Sequence, residues 1–167
     1  ISGILADVLA VKNNVANILL DGDYNVQVTG IDNDGAVLSN NDHRTNLNAI
    51  ADATTGQVSV SVSGNAAYCT GYTTADTDAV TFNVTGSATA TQLTSIADKT
   101  SIAVAASGVT NISGILADVE SVRGSNKIEL GTSYNVQVTG AALTSVVDRT
   151  SINNIANDAD VGVVTVS

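Results

Sequence analysis

The 167-residue chain has no Trp, no Met and no Pro, a single Cys, a single His and only six basic residues. Aromatics make up 3% of it although apolar residues reach 44%, so the apolar content is mostly Ala, Val, Ile and Leu. Large rings bury the most area per side chain and normally fill a thick core. Their scarcity argues against a thick core and predicts thin layers of small aliphatic side chains at close spacing. Cys69 stands alone, which excludes an intrachain disulfide and leaves packing to hold the fold. No stretch approaches the ~20 apolar residues of a membrane helix, so no membrane insertion is expected. No initiator Met and no secretory pattern opens the sequence, as expected of a chain trimmed by processing or continuous with a longer one.

Charge is just as one-sided. Sixteen acidic residues against six basic ones give a net charge of −10. That balance argues against nucleic acid, whose phosphates need Lys and Arg, and against anionic membrane surfaces. All the acids except Glu120 and Glu129 are Asp. Asp favours turns and helix N-caps, so the bias predicts many short elements with many ends.

What the chain does have is repetition. Residues 1–8 (Ile-Ser-Gly-Ile-Leu-Ala-Asp-Val) recur unchanged as residues 112–119, and residues 24–30 (Tyr-Asn-Val-Gln-Val-Thr-Gly) recur as 134–140. Residues 93–102 return with three changes as 143–152. A smaller unit underlies these offsets. Short Val-x-Val-Thr-Gly-like segments end at Gly3, Gly30, Gly64, Gly86, Gly114 and Gly140, spaced 27, 34, 22, 28 and 26 residues apart. Two residues before each glycine stands Val or Ile, and one before it stands Ser or Thr. This alternation is the period-two signature of a strand with one buried face, and a spacing near 27 lies in the range of solenoid repeats.

Between these segments the period changes. Ile4, Leu5, Val8 and Val11, copied by Ile115, Leu116, Val119 and Val122, fall at helical spacing. Leu93 with Ile96, and Leu143 with Val146 and Val147, begin a second kind of helix, and Thr89 with Gln92 has the spacing of a capping box. The expected fold is therefore α/β: one tandem-repeat solenoid over residues 1–167. It has about six strand-turn-helix coils of ~27 residues, with a parallel sheet on one side and short helices on the other. Two coils deviate. One carries extra residues around Ile31 to Gly35, and the irregular coil 65–86 reads as all loop before its strand. Two immunoglobulin-like sandwiches are the rival architecture, and the helical stretches and the smaller period count against them.

Few residues carry chemistry. His43 lies in Asp42-His43-Arg44-Thr45, whose counterparts are Asp98-Lys99-Thr100 and Asp148-Arg149-Thr150, so it replaces an Asp in a solvent-facing helical motif. The recurrence points to a structural position rather than a catalytic one. Cys69 has neither a base nor further ligands in its vicinity, which fits a buried, inert thiol. No catalytic residue is assigned, and no enzyme activity is expected. Asp21 with Asp23, Asp32 with Asp34, and Asp76 with Asp78 are the candidate Ca²⁺ ligands, being hard oxygens spaced two apart in loops; solvated turns explain them as well. The sequons at Asn83 and Asn111 share one strand position, so the repeat alone accounts for them. Ranks such as Asn25, Gln27 and Thr29 with Asn135, Gln137 and Thr139 would form a flat polar array able to meet carbohydrate, ice or water.

These Ser/Thr/Asn/Ala/Val-rich repeats, with Leu-Thr-Ser-Ile-Ala-Asp-Lys-Thr-like segments between Val-x-Val-Thr-Gly strands, resemble repeat regions of giant secreted and cell-surface proteins of cyanobacteria and other Gram-negative bacteria. The resemblance covers the whole chain and is one of style. It implies an extracellular structural role in a surface filament, surface layer or adhesin stalk, often with Ca²⁺ dependence, and carries no catalytic residues. The phase at Ser167 matches the phase before Ile4, so end-to-end self-association or continuation in a longer chain is expected. The alternative is an adhesive module that grips a cell-surface glycan or protein through its polar sheet face or irregular coil.

Overall fold

The computed structural model describes residues 1–14, 16–140 and 145–167. Leu143, read above into the second kind of helix, lies outside the described residues. In chain order the elements are β1 (Ser2–Gly3), α1 (Leu5–Asn13), β2 (Val26–Val28), α2 (Asn41–Ala51), β3 (Val58–Asn65), α3 (Ala66–Cys69) and β4 (Ala79–Thr89). They continue as α4 (Ala90–Ala97), β5 (Val104–Gly114), α5 (Leu116–Arg123), β6 (Ile128–Leu130), β7 (Tyr134–Val138), α6 (Val146–Ala156) and β8 (Val161–Val166).

The fold is α/β, with one eight-stranded sheet in which every pairing is parallel. Strands lie in chain order, β1-β2-β3-β4-β5-β7-β8. Short β6 shares one edge of β5 with β7: β6 takes Val104, Ala105 and Ala106, and β7 takes the stretch from Asn111 to Gly114. Parallel neighbours cannot be joined by a hairpin, so each must be reached by a crossover. Among the described residues each of these crossovers carries one helix.

All-parallel sheets are usually covered on both faces and read as continuous apolar runs. This one alternates. In β7, Tyr134, Val136 and Val138 are buried while Asn135 and Gln137 are exposed. The buried strand residues and the buried helix residues, among them Val8, Leu47, Leu93, Val119 and Ile155, belong to a single apolar cluster. The helices therefore cover one face and leave the other open to water. The core holds few rings, with Tyr72 and Phe82 the largest of its fully buried side chains.

Local signals explain most helix starts. Asn40 accepts from the His43 N–H for α2, at 2.9 Å. Thr89 and Gln92 close the expected capping box for α4, and Ser145 and Asp148 close one for α6. α1 and α5 have no side-chain cap. They begin after Ile4 and Ile115, whose backbones are alike (ψ 158° and 155°), with Asp7 and Asp118 in their first turns. The residues copied between 1–8 and 112–119 thus fold the same way twice.

Other expectations need correction. The irregular coil 65–86 is not all loop, because Asn65 accepts from the Tyr68 N–H at 2.8 Å and caps the one-turn helix α3. Gly3 and Gly114 end their strands, but Gly64 lies inside β3 and Gly86 in mid-β4. Gly86 has φ +77° beside a register shift and marks a bulge instead of a strand end. Gly30 and Gly140 fall two residues beyond β2 and β7. Nor do the glycines stack: Gly3 pairs with Val28, Gly64 with Val84 and Gly114 with Val138. An offset of two keeps the inside-outside parity that the alternation encodes, so burial is right although register differs.

The repeat of 93–102 in 143–152 is not a structural repeat. Asp98 is the C-cap of α4, with Thr100 beyond it, whereas Asp148 sits in the first turn of α6 and Thr150 within that helix. The recurring Asp-(Lys/Arg)-Thr is therefore not one structural position. His43 does match Asp148, since both are the third helical residue after the N-cap, but His43 is half-buried.

Candidate binding surface

The open face of the sheet carries mostly uncharged polar side chains, with Glu129 of β6 a charged exception. Pairing aligns Ser59 with Ala79, Ser61 with Thr81 and Ser63 with Asn83 across β3 and β4. Further along, Thr89, Ser113, Gln137 and Thr165 form one row across β4, β5, β7 and β8. Ser87, Asn111 and Asn135 form another. Asn83 pairs with Ala105 and Asn111 with Ser87, so the two sequons lie in different rows although their sequence positions match. A depression of about 360 Å³ opens on this face between Gln27, Thr29, Ser59, Ser61 and Thr81. A second, of about 340 Å³, lies beside it among Ser2, Asn25, Gln27, Gln57 and Ser59. Amides and hydroxyls of this kind both donate and accept, which suits a neutral, hydroxyl-rich ligand or ordered water.

Not every polar residue near this face is free to bind. The Asn25 side chain accepts from the Gln57 N–H at 2.7 Å, and Asn135 accepts from the Val163 N–H at 2.8 Å. Each holds the backbone of the following strand segment, Gln57 just ahead of β3 and Val163 within β8, so the copied sequence makes the same kind of contact twice.

The candidate Ca²⁺ ligands are scattered in use. Asp32 accepts from the Asp34 and Ala36 N–H groups, both at 3.1 Å, and so turns the inserted loop that follows Gly30. Asp21 accepts from the Gly22 N–H at 2.9 Å. Asp21, Asp23, Asp32 and Asp34 are exposed, and so is Asp76. Asp78 is buried, and its carboxylate takes the N–H groups of Val58 and Ala75 at 2.7 and 2.8 Å. Its oxygens thus tie the turn ahead of β4 to the start of β3. Among the described residues no group of three or more His, Cys, Asp or Glu side chains is placed to hold a metal ion.

Inside the irregular coil, Tyr68, Tyr72 and Phe82 stack edge to face, with centroids 5.5 and 5.7 Å apart. The Tyr68 hydroxyl donates to the Asn40 carbonyl at 2.8 Å, which leaves Tyr72 to donate to Tyr68 at 2.6 Å. Arg44 lies over the Tyr68 ring. Cys69 is fully buried among these groups, and burial pushes its thiol up to about 12. A thiol so disfavoured as thiolate is a packing residue.

Most of the basic side chains tie one crossover to its neighbour. Lys99 donates to the Tyr72 carbonyl at 2.7 Å and Lys127 to the Ala97 carbonyl at 2.9 Å. Arg44 reaches the Tyr68 carbonyl, and Arg123 pairs with Asp158. Tyr68 and Ala97 lie at the C-terminal ends of α3 and α4, where orphan carbonyls favour cations.

No protein-family profile matches the chain, and no curated protein or solved structure is significantly similar to it. Among the described residues no helix is long and apolar enough to cross a membrane.

Proposed function

We propose that this chain is a structural repeat protein, a solenoid whose copies add to one another in a surface filament, surface layer or adhesin stalk outside the cell. One observation carries the reading. The strands follow chain order in a single parallel sheet, with β1 and β8 its outermost strands among the described residues. On β8 the covered-face residue Val166 is 53% exposed. Parallel stacking of this kind can be prolonged by any chain that presents a matching strand. A composition poor in large rings, a single Cys and one continuous apolar core running from crossover to crossover suit length better than a single bounded site.

Sedimentation velocity over a range of concentrations tests it. The unmodified chain should form a growing series of species, and Val166→Lys, which places a charge on the β8 edge, should stay monomeric. A monomer at every concentration would refute the reading. Ca²⁺ enters it only through the exposed Asp21, Asp23, Asp32 and Asp34, and calorimetric titration at millimolar Ca²⁺ decides that part.

A second reading rests on the two depressions between β1 and β4: the open face serves as an adhesive surface for a neutral glycan. Saturable binding on a glycan array, lost in Gln27→Ala and Ser61→Leu, would support it.

A further inference from the structure

Charge and rings are both kept off the open face of the sheet. Of the sixteen acidic and six basic residues, only Glu129 lies in a strand. The two rings that strands carry, Phe82 and Tyr134, are buried on the covered face. A ligand of the open face therefore meets neutral donors and acceptors. It finds no flat aromatic platform on which to bury an apolar ring face.

The face is also hollowed in one place. Pairing sets Ser2, Gln27, Ser59 and Ala79 in one row across β1 to β4. The two depressions, of about 360 and 340 Å³, flank that row and share Gln27 and Ser59. One reaches Thr29, Ser61 and Thr81, toward the C-terminal ends of the strands, and the other reaches Asn25 and Gln57, toward the N-terminal ends. Serine or alanine at 59, 61 and 79 keeps the floor low beside the longer Gln27. Gln27 accepts from the Ser2 hydroxyl through Oε1 at 3.2 Å, which leaves its Nε2 group to donate outward. Among the described residues the hydroxyls of Thr29, Ser59, Ser61 and Thr81 have no protein partner, unlike the Asn25 side chain, which holds the Gln57 N–H.

Hydrogen bonds made here replace bonds to water, so each nets little. Without an apolar ring face to bury, one sugar unit does not offset its own loss of freedom. A chain that fills both depressions does better, because its second unit binds at the high local concentration set by the first. We propose that this face binds an unbranched neutral polysaccharide, which crosses the Ser2–Ala79 row so that nearby units occupy the two depressions and Gln27 Nε2 donates to the chain between them. An anionic polymer would meet a net charge of −10 with no strand cation to offset it. The site rests on the adhesive reading above and specifies its ligand.

Affinity electrophoresis through gels containing dextran, mannan or a linear β-glucan, with dextran sulfate as the charged counterpart, tests the ligand class. Neutral polymer should retard the chain and dextran sulfate should not. Calorimetric titration with one to six units of the retarding polymer then tests the two subsites. A single unit should give no measurable heat, and affinity should rise about tenfold between two units and six. Ser61→Leu fills one depression and Ser2→Leu the other, and each should lower the six-unit affinity about tenfold, to that of the short oligomer. Ser121→Leu, exposed on α5, should leave it unchanged. Circular dichroism of each variant shows that the fold is kept. A single unit bound as tightly as six, or a six-unit affinity that Ser2→Leu does not alter, would overturn the two-subsite site while leaving the adhesive face intact. Retardation by dextran sulfate alone, or by no polymer at all, would remove both.

Discussion

Val138 and Val166 face each other across β7 and β8 on the covered side of the sheet, yet Val138 is 1% exposed and Val166 53%. The two positions have the same residue, the same parity and the same kind of neighbour on one side. They differ only in what lies on the other side. The pair measures what one added layer of chain does for an aliphatic side chain in this fold.

Truncation should show it directly. Val138→Ala is expected to cost about 2 kcal/mol, from lost transfer energy and the cavity left behind, whereas Val166→Ala should cost under about 0.5 kcal/mol in the monomer. Urea unfolding at low protein concentration checks both values.

Two buried threonines should respond in opposite directions to the same substitution. The Thr100 hydroxyl donates to the Val80 carbonyl at 2.7 Å and holds the end of the α4 crossover against β4. Thr74 is buried as well, but its hydroxyl has no hydrogen-bond partner among the described residues. Thr100→Val should destabilise by about 1–3 kcal/mol, and Thr74→Val should be neutral or stabilising by about 1 kcal/mol. Chemical denaturation of the two variants side by side gives the signs.

Backbone conformation alone should govern Gly86. A Cβ added there meets nothing within 4 Å, but φ is +77°. Gly86→Ala should therefore cost about 1–2 kcal/mol without a packing defect. Gly30→Ala should cost more, because its Cβ would lie 2.7 Å from the Gly35 backbone. Thermal unfolding ranks them.

Acid should weaken the last crossover first. The Asp160 N–H, and then the Arg123 guanidinium, hold the Asp158 carboxyl below its usual range. A group whose folded value is depressed stabilises the fold above its unfolded value, near pH ~4, and that contribution fades as pH falls through the folded value. Stability measured from pH 6 to pH 2 should therefore drop less steeply in Asp158→Asn. Arg123→Gln should fall between the two, since the Asp160 N–H remains. Identical profiles for all three chains would show that Asp158 contributes nothing.

What the sequence disclosed, it disclosed through periods and caps. The alternation around Val136 and Val138 named the buried face of β7, and the spacing of Thr89 to Gln92 located the start of α4. Both signals are local, and local geometry decides them. Register was hidden because an offset of two leaves the parity of every side chain unchanged. α3 was hidden because a single turn has no period to detect. The near-copy of 93–102 in 143–152 misled for a related reason. Ser95 and Ser145 are equivalent in sequence, but the box at Thr89 starts α4 earlier, so Ser95 falls inside a helix that Ser145 begins. The strand β6 escaped notice because three residues, Ile128 to Leu130, are too few to alternate visibly. The lattice on the open face was legible only as polar strand positions, since its rows depend on pairing between strands.

Negative-stain electron microscopy of the purified chain at high concentration, with and without Ca²⁺, tests the stacking most directly. Unbranched fibres of uniform width are expected, absent in Val166→Lys, with any effect of Ca²⁺ on their length reporting on the exposed aspartates. Separate compact particles under both conditions, the same for the unmodified chain and the variant, would contradict it.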